Sequence, residues 1–300
     1  MSSKLNVAIL GSGNIGTDLL IKVLRSSYLR CVLFAGRNLQ SAGMRKAQEL
    51  GVKVSADSIH AVLECANSYD LVFDATSAED HLTHWRLLKP LGKMVIDFTP
   101  SHIGKQIIPT INVNEVRHYR NVNMVSCGGQ ASIPLAYAVS QVSSAIRYIE
   151  VVSSIASNSA GPATRINIDE YIANTEEGLR AFTGCKNVKA ILILNPAQPS
   201  VDMQTTVSLK IDNPNMNSIK ISVARLEQQI QRYVPGYKVI VPPVYEDNRV
   251  MISVRVKGLG DYLPDYSGNL DIINCAGIVT AEEYARQFCK SKEEICQVSC

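Results

Sequence analysis

One motif near the start of the chain constrains the fold more than any other feature. Gly11-Ser12-Gly13-Asn14-Ile15-Gly16 has the spacing G-x-G-x-x-G, directly after the strand-like run 6–10 and at the head of a helical pattern over 14–25. The first glycine permits a tight turn, the second lets backbone amides approach a pyrophosphate, and the third lets helix and strand pack closely. The motif therefore predicts a dinucleotide-binding unit in which the helix N-terminus faces the anion.

Strand-like and helix-like segments alternate through the first part of the chain. Apolar runs at 31–35, 71–75 and 93–98 are separated by the helical patterns 42–50 and 80–88. Repeated strand–helix–strand units imply a parallel sheet with right-handed crossovers. We therefore predict an α/β fold that begins with a Rossmann-type doubly wound parallel sheet.

The pattern of apolar and polar residues changes from residue 149, where longer, alternating apolar runs begin. One helix-like segment at 218–233 interrupts them, which indicates a mixed or antiparallel sheet carrying a helix, and so a second α+β domain. The predicted organisation is a dinucleotide-binding domain at 1–126, a second domain at 127–269, a helix at 270–289 that packs back on the first domain, and a flexible tail at 290–300.

A second motif, Ser126-Cys127-Gly128-Gly129-Gln130, follows a strand-like run and precedes an apolar run. This context places Cys127 at a helix start, where free amides and the helix dipole stabilise a thiolate. The two glycines are expected to leave room for a substrate carbonyl, and the amides, with the Gln130 side chain, to hold an oxyanion. Cys127 is therefore predicted to be a catalytic nucleophile. Five other cysteines are interpreted as small buried side chains: Cys31, Cys65, Cys185, Cys275 and Cys289.

The remaining cysteines and histidines show no metal-binding pattern. No C-x-x-C pair is present, and the three C-terminal cysteines lack a nearby histidine and the spacing of a tetrahedral site, so we predict no metal. The histidines precede Cys127 and fall in no recognisable acid/base motif. Surface or helix-capping positions are preferred for all of them: His60, His81, His84, His102 and His118.

The choice of dinucleotide stays open at this stage. The turn after the second predicted strand reads Ala35-Gly36-Arg37-Asn38, without the carboxylate that normally bonds the ribose diol. Arg37 can bind a 2′-phosphate or stack on adenine, which slightly favours NADP or the use of both NAD and NADP. Alternatively, Arg37 is an exposed helix-capping residue. Residues 157–171, SNSAGPATRINIDEY, predict a loop that either closes on a nucleotide, with Arg165 at a phosphate, or forms a subunit contact.

Composition excludes several kinds of partner. The net charge of +3 arises from 30 basic and 27 acidic residues without long runs, so we expect no binding to nucleic acid or to an anionic membrane. The first residues lack the pattern of a signal peptide, and no apolar run approaches the roughly 20 residues that span a bilayer. We expect a soluble cytoplasmic protein that acts on a small molecule.

Four segments together resemble one family: GSGNIGTDLL at 11–20, SCGGQASIP at 126–134, SNSAGPATRINIDEY at 157–171 and GDYLPDYSGNLDI at 260–272. They are similar to those of the CoA-acylating acetaldehyde dehydrogenases of bacterial aromatic hydrocarbon catabolism. The resemblance implies oxidation of a short-chain aldehyde, acetaldehyde or propanal, to acyl-CoA with NAD and CoA, through a thioester on Cys127. It also implies a homodimer formed through the second domain, and a 4-hydroxy-2-oxovalerate aldolase as partner.

The resemblance extends the predicted cofactor site, with Asn269 at the nicotinamide end. Together with the glycines and Arg37, the predicted cofactor-binding residues are Gly11, Ser12, Gly13, Asn14, Ile15, Gly16, Arg37, Ser159, Ala160, Gly161, Pro162, Ala163, Thr164, Arg165, Ile166, Asn167 and Asn269.

The chain departs from the family pattern at several charged positions. Where the family has a Met-Arg-Asp-Thr-like run, this chain has Met203-Gln204-Thr205-Thr206. Asp202 is nearby but is expected to point to the other strand face from its odd-numbered neighbours, so the identity of the general base is open.

These departures leave two alternative functions. One is a phosphate-dependent semialdehyde dehydrogenase or acyl-phosphate reductase, which usually adds a histidine after the nucleophile, and the other is a non-catalytic cofactor-binding scaffold of an aldolase.

Overall fold

The computed structural model describes residues 4–143 and 146–298, and within them the chain forms two compact units. The first unit contains the chain up to Met124 and again from Gly277 onward, and the second contains Val125–Ala276. The predicted boundaries after residues 126 and 269 thus lie slightly away from those of the two units. No helix in the described part of the chain combines the length and the apolar character needed to cross a membrane.

The first unit is built on a seven-stranded sheet in which the strand pairs are parallel. Its strands are β1 (Leu5–Leu10), β2 (Leu29–Ala35), β3 (Val54–Ser55), β4 (Leu71–Asp74), β5 (Met94–Asp97), β6 (Lys105–Gln106) and β7 (Asn121–Asn123). They lie in the order β3-β2-β1-β4-β5-β7-β6, so the strand order reverses at β1, the strand that precedes the glycine motif. This is the doubly wound Rossmann arrangement, in which ligands bind at the switch point, and it confirms the predicted fold class.

Helices connect these strands, as the alternation of the sequence predicts. They are α1 (Asn14–Arg25), α2 (Ala42–Glu49), α3 (Ser58–Glu64), α4 (Ala78–Leu88) and α5 (Pro109–Asn112), with 3₁₀ turns at Lys89–Leu91 and Val113–His118. α3 and α5 were not predicted, because seven and four residues are too few to show helical periodicity. β4 and β5 are buried along their whole length, as expected of parallel strands covered on both faces.

The second unit contains a five-stranded mixed sheet, which confirms the predicted α+β class. Its strands are β8 (Ile146–Ala156), β9 (Val188–Asn195), β10 (Met203–Ile211), β11 (Tyr237–Glu246) and β12 (Arg249–Val256), in the order β11-β12-β10-β8-β9. β8 and β9 are parallel, and the other neighbours are antiparallel. Its helices are α6 (Cys127–Ser140), α7 (Pro162–Ile166), α8 (Ile168–Thr183), α9 (Met216–Gln231) and the start of α10 (Gly268–Val298). α6 packs between α8 and α9 and against β10.

The loop predicted at 157–171 is wrong, because this segment is mostly helical. After a 3₁₀ turn at Ser157–Ser159 it forms α7 and the first turn of α8. Gly161-Pro162 starts a helix here instead of interrupting one, since proline is well tolerated in the first helical turn. α8 itself escapes prediction because its buried face carries only two large apolar side chains. The buried residues are Tyr171, Asn174, Thr175, Gly178 and Leu179.

The last helix continues further than predicted. α10 runs to Val298, where the sequence analysis predicts a helix ending at 289 and a flexible tail at 290–300, while residues 299 and 300 lie outside the described residues. From Gly277 onward the helix belongs to the first unit. Within that unit, Ser26 Oγ donates to Glu282 Oε1 at 2.6 Å and Arg120 donates to the Tyr284 hydroxyl at 3.0 Å.

Two histidines are buried with carboxylates in the first unit, contrary to the surface or capping positions preferred for them. His81 and His84 lie on α4, and the Nδ1 atom of each is 2.9 Å from Asp74 Oδ2 at the end of β4. His81 Nε2 lies 3.4 Å from Asp97 Oδ2 at the end of β5. The two strand ends place carboxylates inside the unit, and a buried charge is tolerated only with hydrogen-bonding partners.

The protonation states in this cluster depend on one another. Burial favours the neutral acid at Asp74, but the hydrogen bonds from the two imidazoles hold the pKa of that carboxyl below its usual range. Burial raises the pKa of Asp97 to about 6, against the charge of His81. Burial also opposes the charged form of His81, yet its hydrogen bond to Asp74 and the charge of Asp97 raise its pKa above the ordinary value.

We predict that Asp74→Asn lowers the free energy of unfolding by about 3–5 kcal/mol, because it leaves buried imidazoles without their anionic partner. Urea denaturation measures this change. Glu49→Gln is the control: it removes the carboxylate of the Lys46–Glu49 ion pair on exposed α2, and we expect a change below about 0.5 kcal/mol. A loss as small as that of the control would show that the cluster is not held together by charge.

Candidate active site

The first glycine turn is shaped by two close backbone approaches. Gly11 has φ +113°, and a Cβ at this position would strike the carbonyl of Ala75. A Cβ at Gly16 would strike the carbonyl of Gly11. Glycine is therefore required at both positions for the turn after β1 and for the packing of α1, in agreement with the roles predicted for the first and third glycines.

The middle glycine has a different environment. Gly13 is the N-cap residue of α1, it has no side chain to cap the helix, and a Cβ built on it would meet no atom within 4 Å. The helix N-terminus is thus open to a ligand at this point. Because a helix N-terminus and its dipole favour an anion, this geometry fits the pyrophosphate of a dinucleotide.

The end of β2 approaches the same turn. A Cβ at Gly36 would lie 2.6 Å from Ser12 Oγ, and Ser12 Oγ is 3.3 Å from Ser41 Oγ. Arg37 follows Gly36 and is exposed. The structure therefore brings the predicted residues of the first unit together around one turn.

Cys127 stands at the end of a strained turn in the second unit. Val125 has φ +62°, a left-handed conformation that is a true outlier for a β-branched residue. Asn174 Nδ2 donates to the Val125 carbonyl at 2.8 Å, and the Ser126 hydroxyl caps α6 by accepting from Gly129 N at 2.8 Å. These contacts hold Cys127 as the first residue of α6, as the sequence predicts.

The sulfur of Cys127 is buried, with the residue only 9% exposed, and hydrogen-bond donors surround it. The hydroxyl of Tyr171 on α8 is 3.6 Å from Sγ, and it accepts a hydrogen bond from Gly128 N at 2.9 Å. Burial raises the pKa of the thiol, while the Tyr171 hydroxyl and the amides of Gly128 and Cys127 act to lower it. The resting group is therefore a thiol that these donors can stabilise as a thiolate.

The glycine pair after Cys127 serves the protein's own packing. A Cβ at Gly128 would collide with the Tyr171 hydroxyl and lie 2.7 Å from Ser153 Oγ, and a Cβ at Gly129 would lie 2.8 Å from a methyl group of Val125. The expectation that these glycines make room for a substrate carbonyl is corrected: protein atoms fill the space next to their α-carbons.

Hydroxyl groups occupy the part of the sheet below the start of α6. Ser153 Oγ on β8 lies 3.0 Å from Thr205 Oγ1 on β10, and both residues are buried. Thr205 takes the third place of the run in which the resembling family has an aspartate. Asp202 forms an ion pair with Arg255 at 3.8 Å, on the outward side of the sheet.

The segment 159–167 forms the 3₁₀ turn and α7, and Arg165 ties it together. Arg165 Nε donates to the Ala160 carbonyl at 3.1 Å, and its Nη2 donates to the carbonyl and hydroxyl of Ser157 at 2.8 and 2.9 Å. A contact of Arg165 with a phosphate, as the sequence analysis expects, stays a prediction. Ser159 and Asn167 are buried, and the side chain of Ala163 lies outside the described residues.

Asn269 is buried near the start of α10, at 5% exposure. Its Oδ1 atom has no hydrogen-bond partner within the described structure. A buried carbonyl oxygen of this kind needs a donor, and a ligand amide can supply one. This feature fits the predicted place of Asn269 in the cofactor site.

Sequence reasoning missed Tyr171, Ser153, Asn174 and Thr175. The Tyr171 hydroxyl meets a sulfur 44 residues earlier in the chain, and its helix was predicted as a loop. The only signal was that Tyr171 ends the 157–171 motif, which carries no indication of its partner.

The fold and the two sites define a class of protein. A doubly wound sheet with a nucleotide-type glycine turn, joined to an α+β unit with a cysteine at a helix start, is typical of dehydrogenases that use a nicotinamide cofactor. Comparison with known proteins narrows this class.

A family model for the dimerisation region of prokaryotic acetaldehyde dehydrogenases matches residues 127–264, and a shikimate/quinate 5-dehydrogenase model matches residues 1–119. The chain is 56% identical over 284 residues to an acetaldehyde dehydrogenase of Pectobacterium atrosepticum, covering 94% of this chain and 96% of that protein. It is 55% identical over 282 residues to that of Spirochaeta aurantia, covering 94% and 95%. The chain therefore belongs to the acetaldehyde dehydrogenase family, which confirms the resemblance seen in the motifs.

One solved structure supports the fold alone. An aspartate semialdehyde dehydrogenase from Candida albicans, with NADP, superposes with a TM-score of 0.63 over 94% of this chain and 98% of that chain. The identity is 12%, so the likeness concerns the architecture and not the substrate.

Proposed function

We propose that the protein oxidises a short-chain aldehyde, acetaldehyde or propanal, to the acyl-CoA with NAD and CoA, through a thioester on Cys127. One observation carries the mechanism. The Cys127 sulfur is held at the first residue of α6, where a phenol hydroxyl and two amides act on it. Membership of the acetaldehyde dehydrogenase family supports the substrate class.

Cys127 supplies the covalent step. Its sulfur adds to the aldehyde carbon while the thiol proton passes to the aldehyde oxygen, and the product is a thiohemiacetal. Bound NAD provides the acceptor for the hydride of that carbon. The hydride leaves to that acceptor, the hydroxyl proton is released to water, and a thioester remains on Cys127. The sulfur of CoA attacks this thioester and the bond to Cys127 breaks. The leaving Cys127 thiolate then takes up the proton given up by the CoA thiol, and acyl-CoA departs.

We assign the NAD pyrophosphate to the turn between β1 and α1, with Ser12, Gly13, Asn14 and Ile15 as its contacts. The open space at Gly13 and the uncapped helix start support this assignment. Arg37 would lie by the adenosine ribose, and NADP stays the alternative because an arginine can meet a 2′-phosphate. In the second unit we assign cofactor contacts to Asn269 and to Ser159, Ala160, Gly161, Pro162, Ala163, Thr164, Arg165, Ile166 and Asn167.

We also propose that two copies of the chain dimerise through the outer face of the second sheet. The strand register places five side chains in one row across that face: Ile191, Val152, Thr206, Ser253 and Val241. Ile191 is 37% exposed and Val241 is 40% exposed, while the alternating residues face the helices. A row of apolar and small hydroxyl side chains suits face-to-face packing of two such sheets.

The family resemblance suggests a cytoplasmic setting and a source for the aldehyde. We propose that a 4-hydroxy-2-oxovalerate aldolase delivers it, as in the aromatic catabolism of the enzymes that the motifs resemble.

Formation of NADH from acetaldehyde, propanal and a longer aldehyde tests the activity. We expect turnover that requires CoA, and Cys127→Ala should reduce it by at least about 10³-fold because the nucleophile is lost. Cys185→Ala is the matched control, since Cys185 is another buried thiol of the same unit and contacts the Asn187 carbonyl at 3.3 Å. Turnover that requires phosphate in place of CoA would favour an acyl-phosphate reductase, and nucleotide binding without turnover would favour a scaffold.

Gly13→Ala tests the nucleotide site. The added methyl group enters open space, so we expect the free energy of unfolding to change by less than about 1 kcal/mol. The same methyl group would stand in the path of the pyrophosphate, so we expect the Kd for NAD, measured by calorimetry, to rise at least about tenfold. Unchanged affinity would place the pyrophosphate elsewhere.

Ile191→Lys tests the dimer. In the monomer, a lysine in this row across the outer face is exposed to water and should be tolerated. In a packed dimer interface the same charge would be buried without a partner, so we expect sedimentation to show a monomer. Ile221→Lys is the control, because Ile221 is 64% exposed on α9, away from the outer face of the sheet. If both variants keep the oligomeric state of the unmodified protein, the outer face is not the interface.

A further inference from the structure

Tyr171 is placed so that its hydroxyl serves the sulfur of Cys127. The hydroxyl lies 3.6 Å from Sγ and 2.9 Å from Gly128 N, and the residue is 7% exposed. The Gly128 N–H donates to the phenol oxygen and occupies one of its acceptor positions. The Ser126 side chain is also a hydrogen-bonding neighbour of the phenol, and it acts to lower the pKa of Tyr171, as a donor to the phenol oxygen does. With these donors on the oxygen, the phenolic hydrogen can be directed at the sulfur.

Residues of both α6 and α8 hold the Tyr171 hydroxyl next to the Cys127 sulfur. Thr175 Oγ1 donates to the Tyr171 carbonyl at 2.7 Å, one turn along α8, and lies 2.6 Å from the Ser126 hydroxyl that caps α6. Position 128 is glycine, and any Cβ there would displace the phenol hydroxyl. The surroundings of the hydroxyl thus fix its position to within a narrow range.

We propose that Tyr171 sets the acidity of Cys127 by donating its phenolic hydrogen to the sulfur whenever the sulfur is a thiolate. The thiol can donate to the phenol oxygen at rest, and the direction of the hydrogen bond reverses when the proton has left. A hydrogen bond to a charged group is stronger than one between neutral groups, so the contact favours the thiolate. This inference rests on the proposed function, in which the sulfur is a nucleophile and later a leaving group.

The chemistry leaves Tyr171 unchanged. No bond to its oxygen forms or breaks, since the thiol proton goes to the aldehyde oxygen in the first step. Burial and the charge of the thiolate hold the pKa of Tyr171 well above its ordinary value, so the phenol keeps its hydrogen. In the last step the same hydrogen bond stabilises the thiolate that leaves the thioester.

The hydrogen bond from Tyr171 bears on the search for a general base. The run Met203-Gln204-Thr205-Thr206 has no carboxylate, whereas the corresponding run of the resembling family has an aspartate. Thr205 pairs with Ser153, and a threonine hydroxyl at neutral pH is no base. A donor at the sulfur makes the thiol itself more acidic, which lessens the need for a strong base beside it.

The test compares Tyr171→Phe with Tyr237→Phe. Tyr237 is also buried in the second unit, and its hydroxyl donates to the Ala131 carbonyl of α6 at 2.9 Å. Each substitution therefore removes one buried phenol hydroxyl that contacts the same helix, and only the first hydroxyl contacts the sulfur. Thermal unfolding checks that both variants are folded.

The readout is the titration of Cys127 in the free enzyme, without aldehyde, NAD or CoA. The rate of carboxymethylation by iodoacetamide is followed against pH on the peptide that contains Cys127. Thiolate absorbance, taken as the difference between each protein and its Cys127→Ser derivative, gives the same midpoint without a reagent having to enter. We expect Tyr171→Phe to raise the midpoint by about one to two pH units, and Tyr237→Phe to leave it unchanged.

An unchanged midpoint in Tyr171→Phe would overturn the inference, as would an equal rise in both variants, which would indicate a general effect of packing. The titration needs no turnover, so it gives an answer even if no CoA-dependent NADH forms. Where turnover is present, the acid limb of the kcat profile should move to higher pH in Tyr171→Phe while the Kd for NAD stays constant. A fall in kcat that is equal at every pH would contradict the inference.

Discussion

The hydrogen bond from Gly128 N to the Tyr171 hydroxyl joins the first turn of α6 to α8, and the site in the second unit depends on it. It uses an amide that a helix N-terminus would otherwise leave without a partner. It also fixes the phenol beside the sulfur and requires glycine at position 128. One contact thus accounts for the residue type after the cysteine, for the surroundings of the thiol and for the position of α8.

The turn that presents Cys127 stores strain, and neighbouring polar groups offset it. Val125 in a left-handed conformation costs on the order of 1–3 kcal/mol. The Ser126 cap contributes about 1 kcal/mol, and the buried hydrogen bond from Asn174 to the Val125 carbonyl contributes a similar amount. The strain and these contributions are of the same size, so the two hydrogen bonds offset much of the strain. This explains why α8 carries asparagine and threonine on its buried face, where an ordinary helix has leucine.

The polar residues on the buried face of α8 show which parts of the structure could not be predicted from the sequence. The Rossmann sheet was predictable because its central strands, such as β4 and β5, are buried apolar runs and its first turn requires glycines at fixed positions. The place of Cys127 at a helix start followed from a strand-like run and a glycine pair. α8 was not predictable, because helical periodicity is a signal of apolar burial and this helix buries Asn174 and Thr175. His81 and His84 were misjudged for a related reason: their partners Asp74 and Asp97 are strand-end residues that only the folded sheet brings near α4.

The two units deal with buried titratable groups in opposite ways. In the first unit, the buried Asp74 carboxylate has the imidazoles of His81 and His84 as hydrogen-bonding partners. In the second unit, Cys127 is surrounded by hydroxyls and amides. A carboxylate close to the sulfur could accept the thiol proton, but its charge would also oppose the thiolate. Hydroxyls at Tyr171, Ser153 and Thr205 add no such charge. In the proposed mechanism, the thiolate is stabilised by the donors next to the sulfur, which are the Tyr171 hydroxyl and the amides of Gly128 and Cys127. Thr205 stands where the motif resemblance implies an aspartate, and as a neutral residue it supplies neither a base nor a repulsive charge. In the proposed mechanism the sulfur is both attacking and leaving group, so the absence of that repulsion favours it in both steps.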